Sequence, residues 1–177
     1  VELRAFRRRQ RVSNRKKRDK PKDSFVVHRL EMRQSAAWRA LPDHGRRVLF
    51  RLEEEHMGHA GSLNGRLACP YRDFEASGIP YKAIALAIRQ CVGLGFLEIT
   101  HQGTPSISQY RNPSRYRLTY VYGREKLVDG TPLPQRTDEW KRIETDEQAA
   151  AALASAEERK STAHVRRAGL ARAKRAA

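Results

Sequence analysis

Residues 71–95 read YRDFEASGIPYKAIALAIRQCVGLG, and this stretch predicts two helices separated by a tight turn. Pro70 suits the first position of a short helix over Tyr71–Ser77, which ends at Gly78. Pro80–Val92 predicts a longer helix, because four apolar side chains fall within about 100° of one another on a helical projection. They are Ile84, Ala87, Ile88 and Cys91. The stretch therefore predicts a helix–turn–helix unit, closed by glycines at positions 93 and 95.

The residues before this unit predict a third helix and a very short strand. His44–Met57 has apolar residues at helical spacing, with Asp43 as its N-cap and Gly58 as its stop. After a loop over residues 58–65, Arg66–Ala68 is long enough only for a very short strand.

The residues after the unit predict an antiparallel pair of strands. Phe96–Thr100 is rich in β-favouring residues, and Gly103–Ser114 is an irregular hairpin loop. Arg115–Tyr122 alternates in the manner of a half-exposed strand. Its predicted inner residues are Tyr116, Leu118 and Tyr120, and its predicted outer residues are Arg115, Arg117 and Thr119.

The outer parts of the chain predict further helices. An apolar cluster over residues 25–32 predicts a short helix that begins the domain, and Ser35 precedes another over Ala36–Leu41. Thr145 to Gln148 match a capping box, so we expect an alanine-rich helix from about 146 to 160. We expect Trp140 to pack back on the domain.

The order of these elements predicts the fold. Helix, short strand, two helices, strand, long loop and strand follow one another as in a winged helix-turn-helix. We therefore expect a mainly helical α+β domain over residues 23–145, preceded by a basic arm over 1–22 and followed by a helix and basic tail over 146–177.

Charge is distributed unevenly along the 177 residues. The chain has a net charge of +16, but residues 1–22 hold 11 basic against two acidic residues, and residues 159–177 hold seven basic and no acidic residue. Residues 23–158 hold 18 of each sign and are neutral. The first arm lacks apolar periodicity, so we expect it to be disordered in isolation. Two cationic segments indicate binding to a polyanion.

Several classes of protein and site are disfavoured. No apolar run approaches the ~18 residues of a membrane helix, and no apolar segment of a secretory signal follows the basic N-terminus, so we expect no membrane partner and no export. Two cysteines suit a reducing cytosol, and with it a cytoplasmic, nucleoid-associated protein. His56, His59 and Cys69 do not match a metal motif, and Glu53–Glu55 is predicted to be a solvated helix face. We expect no enzyme activity, metal or cofactor.

Five stretches resemble a group of small bacterial winged helix-turn-helix proteins, found especially in alphaproteobacteria and mostly of unassigned function. The resemblance covers about residues 25–145. It implies a DNA-binding fold with helix 80–92 in the recognition position. Related winged helices serve transcription, plasmid replication and mobile-element control. The stretches begin at Ser35 (SAAWRAL), Asn64 (NGRL), Tyr71 (YRDFEASGI), Ala87 (AIRQCVGLGFLEIT) and Thr137 (TDEW).

In a helix-turn-helix, residues near the start of the recognition helix reach base edges in the major groove. Arg89 would contact guanine, and Lys82 guanine or phosphate. For Arg89 the alternative is a surface ion pair, and for Leu86 it is contact with another helix or a second subunit. The candidate base-contacting residues are Tyr81, Lys82, Ala85, Leu86 and Arg89.

The loop between the last two strands would be the wing, and the basic segments would grip phosphates without reading sequence. The candidate wing residues are Gln102, Thr104, Arg111 and Arg115. The candidate phosphate-binding residues of the arms are Arg7, Arg8, Arg9, Arg11, Arg15, Lys16, Lys17, Arg18, Arg166, Arg167, Arg172, Lys174 and Arg175.

The sequence thus predicts a double-stranded DNA-binding protein, either a transcriptional regulator or a plasmid or mobile-element replication or control factor. Two alternatives stay open. One is an RNA-binding or ribosome-associated protein, and the other is a protein-interaction adaptor tethered to nucleic acid. The sequence also leaves a homodimer open.

Overall fold

The computed structural model describes residues 23–103, 112–122 and 135–158, and about half of these residues are helical. They form an α+β fold in which the helices pack on a three-stranded antiparallel sheet. In chain order the elements are α1 (Leu30–Gln34), α2 (Ala36–Ala40), α3 (Asp43–Gly58), β1 (Leu67–Ala68), α4 (Tyr71–Ala76), α5 (Tyr81–Gly93), β2 (Leu97–His101), β3 (Arg115–Leu118), a 3₁₀ helix (Glu139–Arg142) and α6 (146–158).

The sheet has the strand order β1–β3–β2. Leu67 pairs with Tyr116, and Leu97 pairs with Leu118, so β3 lies in the middle. The buried amide of Asn64 extends the short β1, because its Nδ2 donates to the Leu118 carbonyl at 2.9 Å and its Oδ1 accepts from the Leu118 amide at 2.8 Å. A side chain thereby supplies the ladder bonds that a two-residue strand cannot.

The start of α2 is confirmed, whereas the starts of the three helices that follow a proline differ from the predicted capping positions by one residue. The hydroxyl of Ser35 accepts from the Trp38 amide at 3.2 Å, as an N-cap does. Pro42, Pro70 and Pro80 are N-caps, whereas Asp43 was predicted to be the cap of α3 and the other two prolines to be first helical residues. Their φ values suit either position, but their ψ values of 158°, 157° and 134° are extended, so each helix begins at the residue after its proline. Asp43 is therefore the first residue of α3 rather than its cap.

Helix ends depend on residues with positive φ. Gly78 and Gly95 have φ of +82° and +77° and end α4 and α5, as predicted. α3 ends at the predicted Gly58, but this glycine is the last helical residue and does not itself have a positive φ. The turn is made by Ala60, at φ +50°, and Gly61, whose amide donates to the His56 carbonyl at 3.0 Å.

The core confirms the apolar face predicted for α5. Ile84, Ala87, Ile88 and Cys91 are buried, and the Cys91 thiol donates to the Gly45 carbonyl at 3.3 Å. Trp140 is also buried, as predicted. Aromatic edge contacts tie the helices to the sheet, with ring centroids 5.6 Å apart for Trp38 and Phe96 and 6.0 Å apart for Phe74 and Tyr116.

The outer face of β3 is covered, which corrects the prediction of a half-exposed strand. Arg117 is 7% exposed and Thr119 is fully buried. Arg117 forms ion pairs with Glu98 and, at 2.9 Å, with Glu139, while the Thr119 carbonyl accepts from the Thr137 amide at 2.9 Å. Residues 135–139 pack over the strand, and strand periodicity alone cannot show that a later segment does so.

The prediction of a solvated Glu53–Glu55 face holds for Glu54, which is exposed, but is wrong for Glu53. Glu53 is 6% exposed and accepts hydrogen bonds from Tyr120 and, at 2.7 Å, from His28. The segment that holds His28 is extended rather than helical, since α1 begins only at Leu30. This segment lies over α3 and buries a carboxylate that the local sequence would leave in water.

The last helix follows the prediction as far as residue 158, where the described chain ends. The Gln148 amide donates to the Thr145 hydroxyl at 3.3 Å, while the Gln148 side chain accepts from the Glu144 amide at 2.8 Å rather than from that of Thr145. Asp146 forms an ion pair with Arg39 of α2 at 2.8 Å. None of the helices in the described ranges has the length and apolar character needed to cross a membrane.

Candidate nucleic-acid interface

The turn between α4 and α5 fixes the angle between the two helices. Gly78 adopts its positive φ beside Arg47 of α3, whose guanidinium donates to the Gly78 carbonyl at 3.3 Å. The positive φ favours glycine at this position, because a side chain with a Cβ rarely adopts it. Ile79 is buried and anchors the turn in the core. Contacts with α3 and with the core at the α4–α5 turn therefore fix the orientation of α5 and of its outer face.

The first turn of α5 presents its side chains to solvent. Tyr81 is 61% exposed and Lys82 is exposed, while Ala85 and Leu86 are half-buried. Within the described residues Lys82 has no hydrogen bond or ion pair, so its ammonium is available to an external anion. Lys82, Ala85 and Leu86 lie where the sequence predicted them, on the face opposite the buried one.

Tyr71 and Tyr81 form an aromatic pair at the junction of α4 and α5. Their ring centroids are 5.7 Å apart, in an edge arrangement. Burial raises the pKa of Tyr71, Tyr81 raises it further, and the positive charge of nearby Arg89 opposes the rise. The phenol of Tyr71 is therefore neutral near pH 7 and is a hydrogen-bond donor beside the exposed face of α5.

Arg89 is placed differently from the other candidates of α5. Its Nε donates to the carbonyl of Ala156 in α6 at 2.9 Å, and its Nη2 is buried without a partner among the described residues. The guanidinium is thus directed at α6. The ion pair considered as the alternative for Arg89 is not present within the described ranges, and the base contact stays a prediction.

The described part of the wing is its base. Gln102 is exposed, and Arg115, also exposed, pairs across the sheet with Ala68 and His101. The Gly103 amide donates to the Ser114 hydroxyl at 2.9 Å and closes the base of the loop. Thr104 and Arg111 lie outside the described residues. So do the phosphate-binding candidates of the two arms.

Cations of the central domain separate into paired and unpaired groups. Arg29, Arg39 and Lys141 are each paired with a carboxylate, on the side formed by α1, α2 and the 3₁₀ helix. Within the described residues, six exposed cations lack a carboxylate partner. Arg33, Arg47 and Arg142 lie on α1, α3 and the 3₁₀ helix, and the other three lie next to β1, in α5 and in β3, around the α4–α5 unit. We refer to the last three, Arg66, Lys82 and Arg115, as the unpaired cations.

Strand pairing and chain order place the unpaired cations on connected elements. Arg115 lies opposite Ala68, and Pro70, two residues further on, is the N-cap of α4. Arg66 precedes β1 and is exposed. The sequence-based candidates did not include Arg66, or Arg72 of α4, whose side chain is 86% exposed and whose Nε lies 3.4 Å from the Asp73 carboxylate. In the sequence, each is simply an arginine next to a predicted short strand or turn. Such an arginine can be singled out only when the structure shows which other arginines are paired with acidic residues.

Of the side chains considered as metal ligands, Cys69 and His56 are buried, whereas His59 is exposed. Burial raises the pKa of the Cys69 thiol to about 12 and lowers the pKa of His56. His59 is exposed and hydrogen-bonds Glu55 at 3.2 Å. In the part of the chain that the structure describes, no three His, Cys, Asp or Glu side chains converge as metal ligands would.

No protein-family model matches the chain, and neither a curated protein nor a solved structure does. The function must therefore be inferred from the chain's own residues: the exposed face of α5, the unpaired cations and the two basic segments.

Proposed function

We propose that the chain is a double-stranded DNA-binding protein with a winged helix-turn-helix domain, in which α5 lies in the major groove. The order α3, β1, α4, α5, β2, β3 and the sheet order β1–β3–β2 support this fold assignment. The loop between β2 and β3 is then the wing. A role as a regulator or as a plasmid or mobile-element factor, associated with the nucleoid, follows as part of the proposal.

One observation carries the proposal: the exposed first turn of α5 presents Lys82, which has no carboxylate partner among the described residues, and exposed Arg66 and Arg115 lie at the adjoining strands β1 and β3. Exposed Lys82 beside Tyr81 gives α5 one long donor and one phenol for base edges or phosphates. Half-buried Ala85 and Leu86 offer methyl groups that suit contact with thymine.

The test measures binding of the full chain to a duplex site that the protein has selected from a random library, and to random duplexes. Lys82→Ala should narrow the ratio of the two affinities by about tenfold, since a base contact is worth about 1–3 kcal/mol. The matched control is Arg142→Ala, because Arg142 is exposed, carries the same charge and lies on the 3₁₀ helix. An unchanged ratio in Lys82→Ala, or equal effects of both variants, would remove the recognition role of α5.

The exposed aromatic and apolar side chains of α5 favour a second candidate, a protein-interaction adaptor tethered to nucleic acid. Tyr81 and Leu86 would then contact a protein, and only the basic segments would contact nucleic acid.

Competition between a random duplex and a structured RNA at physiological salt tests which nucleic acid the chain prefers. Preference for the duplex supports the first proposal, and preference for the RNA favours an RNA-binding protein instead.

A further inference from the structure

Helix α6 packs on α5 through small side chains. Ala149 and Ala156 are buried, and Ala152 and Leu153 pack against the core at helical spacing. At Gly93 of α5, a Cβ would lie 3.2 Å from the carbonyl oxygen of Ala152, so the two backbones approach closely. Alanine side chains bury little apolar area, and α6 therefore gains little from the hydrophobic effect.

The junction of α6 with α5 and β2 is also incompletely filled. A cavity of about 290 Å³ lies between them, lined by Arg89, Val92, Gly93, Ile99, Ala152, Ser155 and Ala156. This groove is partly open to solvent, so the helices do not contact each other along its whole length. The hydrogen bond from Arg89 to Ala156 is charge-assisted and crosses this junction. It is a contact near the C-terminal end of α6, whereas the Arg39–Asp146 ion pair lies at the first turn of this helix.

Arg89 lies on the same side of α5 as the proposed DNA-contacting residues. Tyr81, Ala85 and Arg89 are spaced four residues apart and form one stripe along the helix. Tyr71 contacts Tyr81, and the positive charge of Arg89 lowers the pKa of the Tyr71 phenol against the larger effect of burial. The stripe thus runs from the exposed first turn of α5 to the point where α6 docks.

We propose that Arg89 is a positioning residue that docks α6 against α5, so that the cationic segment 159–177 begins beside the face of α5 that meets DNA. The proposal rests on the proposed function and specifies how one basic segment joins the interface. Segment 159–177 follows Ala156 by less than one helical turn and carries seven basic residues. A docked α6 gives these charges a high effective concentration at the phosphates next to the groove, whereas an undocked α6 leaves them on a longer tether.

Docking is tested without DNA, by hydrogen exchange of the amides of residues 146–158 in the full chain. Arg89→Ala should speed their exchange, and Arg89→Lys, which retains a cationic donor, should restore most of the protection. Arg142→Ala is the charge-matched control and should leave exchange unchanged. Unchanged exchange in Arg89→Ala would overturn the positioning role.

Coupling to DNA is tested by neutralising the tail within the full chain, with Arg166, Arg167, Arg172, Lys174 and Arg175 each changed to Gln. In the wild-type background this change should lower the slope of log affinity against log salt by about 2–4 for a random duplex, since each phosphate that is no longer neutralised lowers the slope by about 0.9. In the Arg89→Ala background the decrease should be less than about half as large. Equal decreases in the two backgrounds would overturn the proposal. Absence of duplex binding by the wild-type chain would instead overturn the proposed function, while the exchange experiment would still decide whether Arg89 docks α6.

Discussion

Tyr120 and Glu53 form a buried polar pair whose energetic role can be measured directly. The hydroxyl of Tyr120 donates to the Glu53 carboxylate, which also contacts His28 at 2.7 Å. Tyr120→Phe keeps the ring but removes a donor to a buried carboxylate, and should lower the free energy of unfolding by about 1–3 kcal/mol. Tyr122→Phe is the control, since Tyr122 is exposed. Urea denaturation measures both, and equal decreases would contradict a specific role for the pair.

His56 predicts a pH dependence of stability. Burial lowers its pKa in the folded state, so the unfolded chain binds a proton more readily as the pH falls. The contribution is intact above the unfolded pKa of about 6.5, and it is lost as the pH falls from there towards the lower folded value. The free energy of unfolding should therefore decrease between about pH 7 and pH 5.

The variant His56→Gln should make this decrease smaller, because glutamine does not titrate yet can keep a hydrogen bond with the Tyr122 backbone. His59→Gln is the matched control, since His59 is exposed on the turn that follows α3. Urea denaturation at the two pH values gives the comparison. A pH dependence that persists in full in His56→Gln would show that other groups cause it.

At the scale of elements, two glycines should respond in opposite directions to the same substitution. Gly95 has a φ of +77°, and a Cβ there would lie 2.6 Å from the backbone of Glu139. Gly95→Ala should therefore cost at least about 2 kcal/mol in the free energy of unfolding. Gly58 is helical with nothing within 4 Å of the added Cβ, so Gly58→Ala should stabilise by about 0.5–1 kcal/mol. Equal effects in urea denaturation would contradict the roles of the two turns.

Local sequence predicted the elements well because their signals are local. The apolar face of α5, the serine cap of α2 and the glycines after α4 and α5 depend on residues within a few positions of one another. Glu53 and Arg117 were assigned to solvent because the segments that cover them lie at distant positions in the chain.

The candidate site shows the same division between local and long-range information. The exposure of Lys82 follows from helical periodicity, and the sequence predicted it. The position of Arg89 against Ala156, 67 residues away, depends on how α6 packs, and no local pattern encodes that contact. Sorting cations by their partners likewise needs coordinates, since Arg29 and Asp138 are separated by 109 positions.

For the whole molecule, the net charge of +16 gives little information about the central domain. Ion pairs consume much of its positive charge, for example between Arg39 and Asp146 and between Lys141 and Glu31. Sequence preference would have to come from α5 and the wing, whereas the basic segments supply affinity for any polyanion. The two contributions should therefore be separable by substitution.

Neutralising the first basic arm separates them within the full chain. Changing Arg7, Arg8, Arg9, Arg11, Arg15, Lys16, Lys17 and Arg18 to Gln removes eight charges from residues 1–22. For a random duplex, the slope of log affinity against log salt should fall by up to about 7, at about 0.9 for each phosphate that the arm no longer neutralises. The ratio of affinities for a selected and a random duplex should stay the same, because phosphates are common to both.

Lys82→Ala should have the opposite pattern of effects: the salt slope should change by at most about 1, and the ratio of affinities for the selected and the random duplex should become smaller. A ratio that collapses when only the arm is neutralised would mean that the arm, and not α5, reads the sequence.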